Sequence, residues 1–191
     1  MSELRTAMLM LLALTSLTGV AYPLAVTGIA QLLFPAQANG SLVMEGGAAR
    51  GSALIGQAFS DPRYFWSRPS ATSPFPNNAA TSAGSNFGPT NEKLIDAVKG
   101  RIAALREADP GNDAPVPVDL VTASASGLDP DISPAAAAFQ AGRVARARGI
   151  ARSQLDDLIA EHTEGRWLGL LGEPRVNVLL LNLALDRLPA R

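Results

Sequence analysis

The stretch that decides the fold is AMLMLLALTSLTGVAYPLAVTGIAQLLF at residues 7–34, where no side chain is charged. The hydrocarbon core of a bilayer, about 30 Å thick, requires roughly 20 apolar residues in an α-helix, so this stretch can span it with tilt. The remaining composition is that of a soluble domain. The sequence therefore predicts a transmembrane helix at 7–34, a short segment at 1–6 and a soluble domain at 35–191.

A cleaved signal peptide is the alternative interpretation of this stretch. Arg5 would supply the basic start, and Ala36, Gln37 and Ala38 form the small-x-small pattern that signal peptidases prefer. However, the apolar region of a signal peptide has about 7 to 15 residues, roughly half the length found here. Pro23 is expected to kink the helix without dividing it into two spans. A retained anchor is favoured.

Small and polar residues on one side of the expected helix predict a contact face. Thr15, Thr18, Tyr22 and Ala25 are spaced by three, four and three residues, and Gly19 lies beside them. Small residues allow helix backbones to approach each other closely within lipid. We predict that this face contacts another membrane protein. The alternative is that a lipid-facing helix simply tolerates these residues.

The charges beside the apolar run indicate its orientation. Arg5 is the one basic residue close to the run, and the first charges on its other side are Glu45 and Arg50. Basic residues near a span tend to stay in the cytoplasm. Residues 1–6 are therefore predicted to be cytoplasmic, and the domain at 35–191 is predicted to be extracytoplasmic.

The composition of the chain excludes several classes of function. The net charge is −1, whereas proteins that bind nucleic acid or anionic membrane surfaces usually have a basic excess. We therefore expect no nucleic acid partner. The chain also contains no cysteine, which excludes disulfides, cysteine-ligated zinc and thiol nucleophiles.

Turn residues and periodicity predict an α+β domain after the span. Short strands are expected within residues 41–59, and another strand is expected at residues 116–122, where apolar and polar residues alternate. Between them, Thr90 is expected to cap a helix that begins near Asn91. The buried face of this helix is predicted from apolar residues at helical spacing: Leu94, Ile95, Val98, Ile102 and Leu105.

The last third of the chain is predicted to be mostly helical. Ser133, followed by proline, is a helix start, and this helix is expected to stop at Gly149. Ser153 is expected to cap a second helix. Residues 176–188 are strongly apolar, and we favour a helix capped by Asn177, although a strand fits as well. The buried stripe of the second helix is predicted to be Leu155, Leu158 and Ile159.

No recognisable catalytic arrangement occurs in the sequence. His162 is the sole histidine and lacks a partner at ligand spacing, so a surface position is expected. A nucleophile elbow, a Walker-type phosphate loop and a phosphorylated-aspartate motif are all absent. Asp129 and Asp131 are interpreted as turn residues. We predict no catalytic residue and no metal ligand. A solvated basic face is predicted from Arg143, Arg146, Arg148 and Arg152.

Six of the ten aromatic residues lie at 59–87, a stretch rich in proline and glycine that lacks helical or strand periodicity. A long irregular loop in a compact domain is usually functional or disordered, and the aromatic content argues against disorder. We predict an ordered loop that meets a partner through Tyr64, Phe65, Trp66 and Arg68.

Motifs along the whole chain, including the N-terminal span, resemble the KdpC family, the C subunits of Kdp-type potassium-transporting P-type ATPases. Asn77 departs from the family pattern, where tyrosine is common, and Ala83 departs where glycine is common. Both departures lie in the loop. The motifs are GSALIGQ at 51–57, YFWSRPSAT at 64–72, SAGSN at 82–86, VPVDLVTAS at 116–124 and VNV at 176–178.

The resemblance implies a non-catalytic accessory subunit of an ATP-driven potassium uptake complex in the bacterial inner membrane. The implied partners are a KdpA-like potassium-translocating subunit and a KdpB-like ATP-hydrolysing subunit. One role proposed for the family is to stabilise their assembly. The other is that of a catalytic chaperone, which raises the ATP affinity of the ATP-hydrolysing subunit through a transient ternary complex.

The two implied roles conflict in topology. ATP is cytoplasmic, whereas the charges place the domain outside, and no phosphate-binding loop follows a predicted strand. The resemblance assigns nucleotide contact to Gln140, and the simpler interpretation is a glutamine on a helix surface. We favour assembly, with no stably bound cofactor and with ATP only in the chaperone alternative. A membrane-anchored external binding module or hydrolase, unrelated to a pump, is the alternative from a different class.

Overall fold

In the computed structural model, which describes residues 2–188, the apolar run forms a continuous helix from Ser2 to Leu33. This helix consists of α1 (Ser2–Ser16), a π-helical turn (Leu17–Ala21) and α2 (Tyr22–Leu33). No residue in it is buried against the rest of the described chain. The predicted helix is confirmed as long and apolar enough to cross a bilayer.

The π-helical turn lies directly before Pro23. Proline has no N–H to donate to the carbonyl four residues earlier, and its ring crowds that carbonyl. The backbone accommodates it with a wider turn, in which the N–H of Tyr22 bonds to the carbonyl of Leu17, five residues back. The helix therefore continues through the proline, as predicted.

The first of two compact units extends to Arg50 and ends in a hairpin. After the long helix come α3 (Pro35–Ala38), β1 (Leu42–Glu45) and β2 (Ala48–Ser52), whose last two residues belong to the second unit. The two glycines between the strands both have positive φ and form the hairpin turn. The predicted short strands are confirmed.

The second unit is built on a three-stranded antiparallel sheet in the order β3-β5-β4, within the described part of the chain. The strands are β3 (Asp131–Ile132), β4 (Thr163–Glu164) and β5 (Arg175–Asn177). Val176 in the central strand faces both neighbours in register and is completely buried. Because these strands are so short, most of the buried apolar surface comes from helices.

Four helices of the second unit lie within the described residues: α4 (Glu92–Ala108), α5 (Pro134–Arg148), α6 (Arg152–Glu161) and α7 (Val178–Asp186). α5 packs against α6, and α6 packs against α7. The predicted stripe on α6 is buried, as expected. The largest of the fully buried apolar side chains are Phe65, Ile132, Val144, Leu155, Val176, Val178, Leu181 and Leu185.

α5 begins and ends where the sequence predicts. The Oγ of Ser133 accepts a hydrogen bond from the N–H of Ala136 at 3.0 Å, and the following proline occupies the first helical position. Gly149 adopts the left-handed conformation, with a φ of 68°. The N–H of Ile150 then bonds to the carbonyl of Ala145, which completes a Schellman motif.

The starts of α4 and α6 differ from the prediction. Asn91, rather than Thr90, caps α4, because its Oδ1 accepts the N–H two residues later. α6 begins after Ala151, and Ser153 lies inside its first turn. The side chain of Gln154 accepts the Ala151 N–H at 3.3 Å, which is the half of a capping box that an alanine at the N-cap leaves possible.

The predicted buried face of α4 is only partly correct. Leu105 is buried, and Val98 and Ile102 pack against the core while partly exposed. Ile95 is 44% exposed. The N-terminal half of α4 therefore contributes little to the core.

The strand predicted at residues 116–122 is wrong. A 3₁₀ turn, Val118–Leu120, occupies the middle of this segment. Pro117 has no N–H to offer to a neighbouring strand. Asp119 points to the start of α5, where its carboxylate accepts bonds from the N–H of Ser133 at 2.7 Å and from its Oγ at 3.2 Å. This tertiary contact outweighs the alternating pattern.

The helix and strand interpretations of residues 176–188 are both partly correct, because this segment begins as a strand and continues as a helix. Val176 and Asn177 belong to strand β5, and α7 follows directly. The side chain of Asn177 caps α7 by accepting the N–H of Leu180 at 3.1 Å, as predicted.

Candidate functional site

The loop at residues 59–87, called the aromatic loop here, is irregular apart from one 3₁₀ turn at Ala79–Thr81. Phe65 is completely buried in the core of the second unit, and Tyr64 and Trp66 beside it are half-buried. The prediction of an ordered loop held by its aromatic residues is therefore confirmed near Phe65, whereas Phe75 and Phe87 are exposed.

Two side-chain amides hold the backbone of this loop. Asn182 on α7 accepts the N–H of Phe65 and donates to its carbonyl, each at 2.9 Å. Gln140 on α5 accepts the N–H of Trp66 at 2.8 Å and donates to its carbonyl at 3.1 Å. Each amide makes the pair of bonds that a neighbouring β-strand would make. We call these two side chains, each 1% exposed, the amide clamp.

Arg143 lies against the clamp and binds the same loop. Its guanidinium donates to the carbonyls of Pro62 at 2.6 Å and Tyr64 at 3.1 Å, and to the Oε1 of Gln140 at 2.8 Å. It also lies over the ring of Trp66, 4.2 Å from the centroid. Burial lowers the pKa of Arg143 to about 10, so the side chain remains charged at neutral pH.

The solvated basic face predicted from four arginines is wrong for Arg143, which is only 4% exposed. The other three each make an ion pair. Long arginine side chains reach carboxylates and carbonyls on neighbouring segments, so a cluster of basic residues need not be a free surface. The pairs are Arg146 with Asp109, Arg148 with Asp186, and Arg152 with Asp156.

The clamp also corrects the surface interpretation of Gln140. A helix-surface glutamine was expected, but the residue is in the core, and both ends of its amide are bonded to the loop. Nothing in the geometry tests nucleotide contact at Gln140, which stays a prediction. Such contact would require the amide to give up bonds to Trp66.

The four loop residues predicted to meet a partner are mostly turned inwards. Phe65 has no exposed surface, which corrects that prediction for Phe65. The hydroxyl of Tyr64 donates to Asp186 at 3.0 Å, and Arg68 pairs with Asp129 at 2.8 Å. The indole N–H of Trp66 donates to a loop carbonyl at 3.0 Å. Partner contact by Tyr64, Trp66 and Arg68 stays a prediction.

Charged residues surround a groove of about 480 Å³ beside the sheet. Asp129 bonds to the N–H of Asp131 at 3.0 Å, which agrees with its interpretation as a turn residue. Burial raises the pKa of Asp131, and the neighbouring Arg175, 3.1 Å away, opposes that rise. Asp129 and Asp131 are thus each paired with an arginine of the groove.

The predicted contact face of the apolar helix is divided in two by the π-helical turn. Thr15 and Gly19 lie side by side, since a Cβ built on Gly19 would be 3.9 Å from the Thr15 methyl group. The hydroxyl of Thr18 donates to the carbonyl four residues earlier at 2.7 Å. The π-helical turn, Leu17–Ala21, interrupts the α-helical spacing on which Tyr22 and Ala25 were assigned to the same face. Their contact with a partner stays a prediction.

Sequence reasoning missed Asn182, the second half of the clamp. The available signal was its position, because it is an uncharged polar residue among the buried apolar residues of α7. Buried amides in such surroundings require hydrogen-bond partners, and this one finds them 117 residues earlier in the chain.

Comparison with known proteins agrees with the resemblance read from the motifs. A family model described as "KdpC: K+-transporting ATPase, c chain" matches residues 4–187. The chain belongs to the KdpC family. A KdpC subunit of a potassium-transporting ATPase from Polaromonas naphthalenivorans is 68% identical, over 97% of this chain and 94% of that protein. The KdpC subunit from Methylococcus capsulatus is 64% identical over 98% of both chains, and that from Variovorax paradoxus is 66% identical over 96% and 95%.

Proposed function

We propose that this chain is a non-catalytic accessory subunit of an ATP-driven potassium uptake complex, where it stabilises the assembly of the other subunits. The observation that supports this proposal is the KdpC match at residues 4–187, together with relatives of nearly equal length that are named as subunits of this ATPase. The partners we propose are a KdpA-like potassium-translocating subunit and a KdpB-like ATP-hydrolysing subunit.

The geometry suits a subunit that presents a preformed surface. The amide clamp and Arg143 bind the backbone of the aromatic loop from two helices, so this loop is already ordered before any partner arrives. Binding by a preorganised surface avoids the free-energy cost of ordering a loop on association. The same geometry offers no support for the chaperone alternative, in which Gln140 would contact ATP.

We place the apolar run at 7–34 across the bacterial inner membrane, with residues 1–6 in the cytoplasm and the domain at 35–191 outside. This placement is supported by the uncharged run at 7–34 and by Arg5 beside it. Protease added to intact spheroplasts is expected to digest the domain and to leave the helix protected. Full protection of the domain, with digestion only after lysis, would contradict this orientation.

The contact face of the helix gives a further expected result. Gly19→Leu should reduce the amount of partner subunits that co-purify with the full-length chain about tenfold, the effect of roughly 1.4 kcal/mol. The added side chain would push apart two backbones that the glycine allows to approach. The matched control is Gly28→Leu, because a Cβ at Gly28 has no described atom within 4 Å and therefore disturbs nothing in the chain itself, and the nearest atom to a Cβ at Gly19 is only in ordinary contact at 3.9 Å.

Co-purification is measured from gentle detergent extracts that contain all subunits. An unchanged yield for Gly19→Leu would reject the contact face. Recovery of the unaltered chain without any larger membrane protein would reject the proposed function itself, and would favour the binding module or hydrolase.

A further inference from the structure

The connection between β4 and β5 exposes four large apolar side chains at one point. Residues 167–172, WLGLLG, contain no charged residue and are called the apolar tip. Trp167 is 67% exposed, Leu168 74%, Leu170 79% and Leu171 60%. A soluble surface rarely exposes such a contiguous apolar group without an interaction to cover it.

The apolar tip is a formed turn in which four of the six backbone N–H groups donate to nearby carbonyls. The N–H of Trp167 donates to the carbonyl of Leu171 at 2.8 Å, and the reverse bond is 3.0 Å. The N–H groups of Gly169 and Leu170 donate to carbonyls of the same turn at 3.0 and 3.1 Å. This local bonding reduces the number of backbone polar groups that would need water when the turn lies at a membrane interface.

The base of the tip is polar and electrically balanced. Arg166 donates to both carboxylate oxygens of Glu173, at 2.8 and 2.9 Å. A charged pair therefore marks the level at which the chain returns to polar surroundings, and Trp167 follows it directly. Tryptophan at the border between polar and apolar surfaces is typical of segments that lie at the membrane interface.

We propose that the apolar tip inserts into the interfacial layer of the bilayer that anchors the chain. The apolar side chains of the tip would contact the acyl chains, which are also uncharged. The ion pair at the base of the tip would lie among the zwitterionic headgroups. The overall charge of −1 does not oppose this insertion, because the attraction is apolar rather than electrostatic.

The length of the connection to the anchor supports a bilayer as the occupant. Gly51, the first residue of the second unit, follows Leu33 by 18 residues. Most of these residues form α3 and the hairpin, so the connection reaches less than the roughly 60 Å of an extended chain of this length. This inference rests on the proposed membrane anchoring, which keeps the tip at a high effective concentration near lipid whichever way the helix is oriented.

The two tryptophans of the chain make this proposal measurable. The full-length protein is placed in phosphatidylcholine vesicles, with and without bromine on the acyl chains, and the emission of Trp167→Phe is subtracted from that of the unaltered protein. The emission of Trp167 is expected to fall about twofold or more with brominated lipid. The emission of Trp66, which remains in Trp167→Phe, should change little.

Two charge variants test whether the whole tip is involved. Leu170→Asp is expected to abolish the quenching of Trp167, because a carboxylate would enter the apolar layer. Leu54→Asp is the matched control, since Leu54 is 62% exposed but lies outside the tip. In this variant, the quenching of Trp167 should equal that in the unaltered protein.

The outcomes separate this inference from the proposed anchoring. Protein that floats with the vesicles while Trp167 stays unquenched would overturn insertion of the tip and leave the anchor intact. Protein that fails to float would overturn both. Loss of quenching when the partner subunits are present, with a cross-link from residue 167 to one of them, would overturn the bilayer as occupant in favour of a protein surface.

Discussion

Replacement of Gln140 by leucine is expected to lower the free energy of unfolding of the domain by about 3 to 5 kcal/mol. The change leaves the N–H and the carbonyl of Trp66 buried without their partners, and it removes one acceptor from the buried Arg143. Each such unsatisfied group costs about 1 to 3 kcal/mol. Chemical denaturation of the detergent-solubilised full chain, followed by circular dichroism and tryptophan emission, measures the loss.

A parallel variant and a control test whether the loss of stability comes from the amide clamp. Asn182→Leu should give a loss of similar size, because it leaves the N–H and the carbonyl of Phe65 unpaired. Gln154→Leu replaces an exposed amide on α6 whose described side-chain bond is the 3.3 Å bond from the Ala151 N–H, so it should cost no more than about 1 kcal/mol. Equal stability of Gln140→Leu and Gln154→Leu would show that the clamp contributes nothing.

The same pair of variants distinguishes the clamp from the nucleotide role predicted for Gln140. A residue that contacts ATP would alter the KM for ATP of the purified complex, at a temperature where the variant is folded. Our proposal is that Gln140→Leu and Asn182→Leu affect the complex alike, through the stability of this subunit. An increase in KM confined to Gln140→Leu would support the chaperone alternative.

The second large effect is expected at Gly127, where alanine should cost about 3 to 4 kcal/mol. Gly127 has a φ of 68°, and an added Cβ would lie 2.5 Å from the carbonyl oxygen of Ala83 and 2.6 Å from the methyl group of Thr72. The aromatic loop packs directly against this glycine. The loss is measured as a lower midpoint of denaturation with an unchanged slope.

Gly149→Ala is the matched control, because it isolates the conformational cost. Gly149 has the same φ of 68°, but no described atom lies within 4 Å of a Cβ built there. This variant should lose only about 1 to 2 kcal/mol, the cost of placing a side chain in the left-handed region. Equal losses at Gly127 and Gly149 would mean that the close approach of the loop has no energetic consequence.

Features determined by neighbouring residues could be predicted from the sequence. The cap at Ser133, the stop at Gly149 and the length of the apolar helix depend on contacts within a few positions, and all three are confirmed. The prediction of a strand at residues 116–122 is wrong because this segment is determined by a residue outside it. The conformation of this segment depends on the hydrogen bond that the N–H of Ser133 donates to Asp119, which no local pattern reveals.

The candidate site depends almost entirely on distant contacts. Gln140 is 74 residues from Trp66, and Asn182 is 117 residues from Phe65. Composition alone indicated that the loop is ordered, but it could not show which aromatic residues point inwards. Burial of Phe65 is decided by α5 and α7, and for that reason its predicted partner contact is wrong.

The separation between Phe65 and Asn182 also constrains how the protein is made. At about 5 to 20 residues per second, a ribosome needs roughly 6 to 23 seconds to add the 117 residues that follow Phe65 before its clamp exists. The apolar helix at the start of the chain has emerged well before that time. The anchor can therefore engage the membrane before Asn182 has been added and before the domain has folded. Folding of the aromatic loop is thus a late event in biogenesis that follows membrane targeting.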